Sequence, residues 1–207
     1  MIEVLGRSAG RLHPRQRRAL GLHFVPEERL GRGAVPTLGL AHNLLLTRGE
    51  SVGAGGWIRT GALDKQAASI IQRFNVKAGG PASAARSLSG GNLQKFIVGR
   101  EIDAAPKVFI VSQPTWGVDV GAAALIRGEI LAMRDAGCAV LVVSEELDEL
   151  FEISDRLYVI AKGRMSPPIE RAAASVAQIG EWMSGLWGKK GGGSGAAAHG
   201  EVGHAQA

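Results

Sequence analysis

The sequence predicts an α/β fold with a mainly parallel sheet and an inserted helical subdomain. Two observations carry this. Short apolar runs alternate with helix-period segments in the second half, and a long stretch before them shows helical spacing without β alternation.

Taken along the chain, Leu22-His23-Phe24-Val25 reads as a strand stopped by Pro26, which has no N–H to donate. Residues from about Ala41 to Arg86 read as helices and loops. Leu88-Ser89-Gly90-Gly91-Asn92-Leu93-Gln94-Lys95 is a Ser-Gly-Gly loop entering a helix whose Leu93, Phe96 and Ile97 share one face. Val108-Phe109-Ile110-Val111, between Pro106-Lys107 and Pro114, is the run expected of a buried strand. Asp119 is a candidate N-cap for a helix with Ile126, Ile130 and Met133 at helical spacing and Gly137 at its end. A second strand follows from Ala139 to Val143. Ser144 is a candidate cap for a short helix bearing Leu147, Leu150 and Phe151, and Leu157-Tyr158-Val159-Ile160 reads as a third strand closed by Lys162-Gly163. Strand, helix, strand, helix, strand predicts a parallel sheet.

A hydrophobic fraction of 45% with 21% charged residues fits a globular domain, and no apolar stretch approaches the roughly 20 residues of a spanning helix. The N-terminus lacks a signal-peptide pattern, which predicts a cytoplasmic location. Cys138 is the one cysteine, so intrachain disulfides and cysteine clusters are excluded and a buried structural thiol is expected. The net charge of +5 and the arginines at 7, 11, 15, 17 and 18 raise nucleic-acid binding. They come without an aromatic platform or zinc pattern, so no nucleic-acid partner is expected and a solvated face, or a surface that meets a missing neighbour, is the simpler reading. From residue 188 the sequence is Gly/Ala-rich and predicts a disordered tail. His199 and His204 within it are too poor a ligand set for a metal, and no metal site is assigned.

The chemistry concentrates in Ser89, Gly90, Gly91 and Asn92. A hydroxyl and free backbone N–H groups at a helix N-terminus suit an anion, and glycines let a phosphate approach closely. By itself such a turn is weak evidence, and an ordinary loop-to-helix cap is the better reading. About 20 residues on, however, comes the apolar strand ending in Pro114-Thr115 and then Gly117-Val118-Asp119. This order resembles the ABC signature motif, Walker B strand and D-loop. The resemblance spans roughly Gly21 to Met165 and is sharpest with the second nucleotide-binding domain of sugar and nucleoside importer ATP-binding proteins. Val25-Pro26-Glu27-Glu28-Arg29-Leu30-Gly31-Arg32-Gly33 and Asn43-Leu44-Leu45-Leu46 are similar to that subgroup.

The resemblance implies an incomplete P-loop NTPase (ABC-type) domain with its N-terminal strands and Walker A absent. Residues 1–40 would be a remnant of the catalytic core up to a Q-loop-like region, 41–104 a helical subdomain with the signature motif, 105–187 the parallel α/β core, and 188–207 the tail. It also implies that Ser89, Gly90, Gly91 and Asn92 touch ATP held by a partner's Walker A, with Asp119 at the domain interface. Its partners would be a Walker A-bearing nucleotide-binding domain and transmembrane permease subunits, with the chain peripheral on the inner face of the membrane.

Four positions depart from the family pattern. Ser112 and Gln113 stand where the Walker B strand should end in Asp-Glu, Glu145 stands at the switch histidine, and Glu27 at the Q-loop glutamine. Serine is a poor ligand for Mg²⁺, and glutamine can orient a water but cannot take its proton. No G-x-x-x-x-G-K-[ST] occurs in the 207 residues. ATP and Mg²⁺ are therefore expected only in a composite site with a partner domain, and the chain alone is predicted inactive. The other readings open at this point are a non-catalytic interaction module and a non-functional truncated remnant.

Overall fold

The structure, a computed structural model, describes residues 2–48, 53–54 and 57–187. The predicted tail, with His199 and His204, lies outside the described residues. The chain divides into two units, the first ending at Ser154 and the second beginning at Asp155.

The first unit opens with a hairpin of β1 (Glu3–Val4) and β2 (Arg7–Ser8), and α1 (Pro14–Ala19) follows with proline in its first turn. The expected strand at 22–25 is present as β3 (Leu22–Val25). Between it and the next sheet strand lie α2 (Leu40–Arg48), a two-residue pair of β4 (Gly53–Ala54) and β5 (Trp57–Ile58), α3 (Thr60–Arg73) and α4 (Gly90–Ile102). The intervening segment is thus mainly helical, as its sequence predicts. Asn43 is fully buried at the start of α2 and closes the preceding loop, its side chain accepting from Val35 N–H at 2.7 Å and donating to the Leu38 carbonyl at 3.0 Å.

β6 (Val108–Ser112), α5 (Val120–Asp135), β7 (Ala139–Val143) and α6 (Leu147–Ile153) complete this unit. The sheet order is β3-β6-β7, all parallel, with Phe24 beside Ile110 and Ile110 beside Leu141. Register puts Val25, Phe109 and Val111 on one face, where they are fully buried in a core that includes Phe96 and Ile97 of α4 and Ile126 and Ile130 of α5. On the opposite face Phe24, Leu141 and Val143 are exposed. Helix α5 ends as expected: Gly137 takes φ +92°, and Cys138 N–H bonds the Met133 carbonyl while Gly137 N–H bonds that of Arg134, a Schellman close. Cys138 is buried, and burial pushes its thiol pKa up.

Two local expectations are corrected. Ser144 is not the cap of α6, whose N-cap is Glu146; its hydroxyl accepts from Glu146 N–H at 3.1 Å in a turn before the helix. Residues 157–160 are not a third parallel strand; that place is taken by β3. They fall in the second unit as ends of β8 (Arg156–Leu157) and β9 (Ile160–Ala161), which pair antiparallel with β11 (Ile169–Glu170) and β10 (Arg164–Met165). The cause is the turn at Lys162 and Gly163, both at positive φ, which sends the chain straight back along β9. Ser166 fixes the split by accepting from Val159 N–H at 2.9 Å. α7 (Val176–Met183) follows, capped by Ser175. Among the described residues no helix is long and apolar enough to cross a membrane.

Candidate functional site

Ser89 is the N-cap of α4, in extended backbone geometry, and Gly90 and Gly91 open the helix. The first intrahelical bond runs from Leu93 N–H to the Ser89 carbonyl at 2.9 Å, so the N–H groups of Gly90, Gly91 and Asn92 precede the helical ladder. Ser89 makes no side-chain cap bond to the helix; its hydroxyl accepts instead from Asn92 Nδ2 at 2.8 Å. Asn92 is held from the other side by Lys77 N–H, which donates to Oδ1 at 2.9 Å. The turn therefore leaves its backbone donors outward while its side chains are tied to each other.

Gly91 is required by close approach. A Cβ on Gly91 would lie 2.7 Å from the Gly117 carbonyl oxygen, closer than a carbon can sit against backbone. The signature turn is thus pressed against the loop after β6. That loop delivers Asp119, the N-cap of α5, whose Oδ1 accepts from Ala122 N–H at 2.9 Å. This bond holds the Asp119 carboxyl pKa below its usual value, with the charge of Lys95 helping; Nζ of Lys95 is 4.0 Å from Oδ2. Ser89, Gly90, Gly91, Asn92 and Asp119 together line a cavity of about 430 Å³, joined by Arg29, Lys95 and Gly117.

At the end of β6, Ser112 lies beside Val143 in register and Gln113 turns the chain. Gln113 adopts φ +50°, a left-handed backbone unusual for a long side chain and of a kind that clusters at functional positions. Backbone bonds hold it: its N–H donates to the Val143 carbonyl at 2.7 Å, and its carbonyl accepts from Gln94 Nε2 at 3.0 Å and from Trp116 N–H at 3.3 Å. Its side-chain oxygen meets the Ser144 hydroxyl at 3.4 Å. Glu27 is exposed and shares a second cavity, about 1080 Å³, with Ser112, Gly90 and Trp116. Glu145 is exposed and lines neither cavity. The structure so gathers the signature residues with Asp119, and Glu27 with Ser112, while Glu145 stands apart from both groups. Among the described residues no group of three or more His, Cys, Asp or Glu side chains could hold a metal ion.

Several contributors have no local signature in the sequence. Arg29 sits in a run of charges that reads as surface, and Gln94 and Lys95 look like helix-surface residues yet are buried. Thr115 donates its hydroxyl to Glu149 Oε1 at 2.7 Å, tying the loop after β6 to α6, and the other oxygen of this buried carboxylate has no hydrogen-bond partner.

No protein-family model matches the chain. It is similar to the guanosine import ATP-binding protein NupO of Bacillus subtilis, 36% identical over 193 residues, which cover 92% of this chain and 38% of that protein. It is also 36% identical over 188 residues to the glucose import ATP-binding protein TsgD13 of Haloferax volcanii, covering 89% of this chain and 34% of the relative. The chain thus spans little more than a third of the length of these relatives. In fold it is similar to the ATP-binding cassette MJ0796, solved as a dimer in a post-hydrolysis state bound to ADP and Pi. The TM-score is 0.67 at 17% identity, over 81% of this chain and 72% of that one.

Proposed function

Since the chain has the ABC ATP-binding cassette fold and belongs, over most of its length, with the sugar and nucleoside import ATP-binding proteins, we propose that it supplies the signature loop to ATP bound on a partner domain. The observation that carries this is the turn Ser89-Gly90-Gly91. It has three backbone donors ahead of the first helical bond, no Cβ on either glycine, and a cavity of about 430 Å³ in front of it. Such donors at the positive end of the helix dipole suit the terminal phosphate of a nucleotide.

The residues present fit that phosphate and do not fit its metal. Ser112 and Gln113 offer no carboxylate at the end of β6, and the 207 residues contain no P-loop lysine or hydroxyl. When bound on a partner, ATP with Mg²⁺ would bring the bond to be cleaved. This chain would orient and hold the outer phosphate through Ser89, Gly90 and Gly91, with Asn92 fixing the serine hydroxyl and Asp119 facing the partner. Glu27, Ser112, Gln113 and Glu145 would make it the non-catalytic side of an asymmetric pair. The importing complex would include permease subunits and place the chain at the cytoplasmic face of the membrane.

The test is Ser89→Arg in the assembled transporter, which drives a long cation into the cavity. Nucleoside or sugar uptake should fall to background with the chain present at its normal level, and uptake at the unmutated rate overturns the proposal.

A further inference from the structure

Arg29 lies in the loop after β3 and lines both cavities. Its Nε–H donates to Gln94 Oε1 at 3.1 Å, its Nη2 donates to the Trp116 carbonyl, and its guanidinium carbon lies 4.6 Å from the centre of the Trp116 ring. Gln94 passes the link on, donating Nε2 to the carbonyls of Gln113 at 3.0 Å and Pro114 at 3.1 Å. One guanidinium therefore touches the signature helix and the approach to Asp119, and reaches the end of β6 through Gln94. It also occupies the space beside Gly90, where a Cβ would stand 2.7 Å from Nη1.

None of these partners is acidic, and burial holds the Arg29 pKa below its usual value. The planar fork is engaged by geometry: one edge on Gln94, another on a carbonyl, the face on an indole. Lysine has neither the fork nor the plane.

We propose that Arg29 is a positioning residue that fixes the Gly90–Gly91 turn against the Pro114–Asp119 loop, so that the signature donors and Asp119 keep one spacing. The inference rests on the reading of Ser89 to Gly91 given above for its functional meaning, but its structural content is independent of it.

The experiment is NMR-detected amide exchange on the full chain, comparing the unmutated protein with Arg29→Lys, Arg29→Ala and Gly90→Ala. The reporters are the amides of Leu93, Trp116 and Val118, which bond the carbonyls of Ser89, Gln113 and Thr115. In Arg29→Lys and Arg29→Ala these should exchange about tenfold faster while the amides of β6 keep their protection, the mark of local opening. Gly90→Ala should do the same by displacing the guanidinium. Exchange in Arg29→Lys equal to that of the unmutated protein, or faster exchange spread equally over β6, overturns the proposal. If the loops loosen but Ser89→Arg leaves transport intact, the positioning role stands and the nucleotide reading falls. If Ser89→Arg abolishes transport and the loops stay protected, the reverse holds.

Discussion

The side chain at the end of β6 decides what chemistry is available, and Gln113 is the residue to ask. Its φ of +50° and its bonds to the Val143 carbonyl and Gln94 hold it at a fixed corner, so Gln113→Glu would place a carboxylate there without rebuilding the backbone. A carboxylate restores a base for water but supplies no cradle for the β-phosphate. Gln113→Glu in the full chain by itself should therefore show no ATPase turnover above background in a phosphate-release assay. Clear turnover would mean that this chain holds nucleotide through groups other than a P-loop. At the same scale, what the sequence made legible was local: Ser89, Gly90, Gly91 and Asn92 are contiguous, and Asp119 caps the helix that its position in the sequence predicts. Arg29 was not legible, because its partners lie 65 and 87 positions away and only the fold brings them together.

Among the elements, the three-stranded parallel sheet separates burial from mere hydrophobicity. Its strands all read as apolar runs, and parallel strands with that composition ordinarily have both faces covered. Here the two faces differ. Phe109 is fully buried in the core that α4 and α5 share, whereas Leu141 is 53% exposed. Phe109→Ala should cost about 3–5 kcal/mol through lost transfer energy and the cavity it leaves. Leu141→Thr should cost less than about 1 kcal/mol, because a β-branched residue suits the strand and little burial is lost. Equal shifts of the two variants in urea unfolding would show that both faces are packed in solution. The same elements explain the one strand that periodicity misassigned. An apolar run such as Leu157 to Ile160 signals a strand but not its partner, and the partner was set by the positive-φ turn at Lys162-Gly163.

In the molecule as a whole, a buried charge cluster ties the N-terminal segment to the helix that carries the signature turn. Glu101 of α4 is fully buried; its Oε2 accepts from Arg18 Nη1 at 2.8 Å and His23 Nδ1 at 2.7 Å, and its Oε1 accepts from Arg100 Nε at 2.9 Å. Arg100 donates onward to the carbonyls of Gly33 and Asn43, so one cluster joins α1, β3, the loop before α2 and α4. Burial works to raise the Glu101 pKa, but the His23 hydrogen bond and the charges of Arg100 and Arg18 outweigh it and lower the value from 4.5 to about 2. Between pH 4.5 and 2 the unfolded chain binds a proton that the folded chain does not, so stability is full above pH 4.5 and is lost as pH falls towards 2. A shift of this size corresponds to about 3 kcal/mol. Glu101→Gln should lower stability at pH 7 by a similar amount, about 3–5 kcal/mol, because it leaves Arg100 buried beside a neutral amide. It should also flatten the fall between pH 4.5 and 2.5 relative to the unmutated chain. Urea midpoints at pH 7, 4.5 and 2.5 test both points together: a variant that loses stability in parallel with the unmutated chain over the acid interval would show that Glu101 does not carry it, and that other carboxylates set the acid limit of the fold.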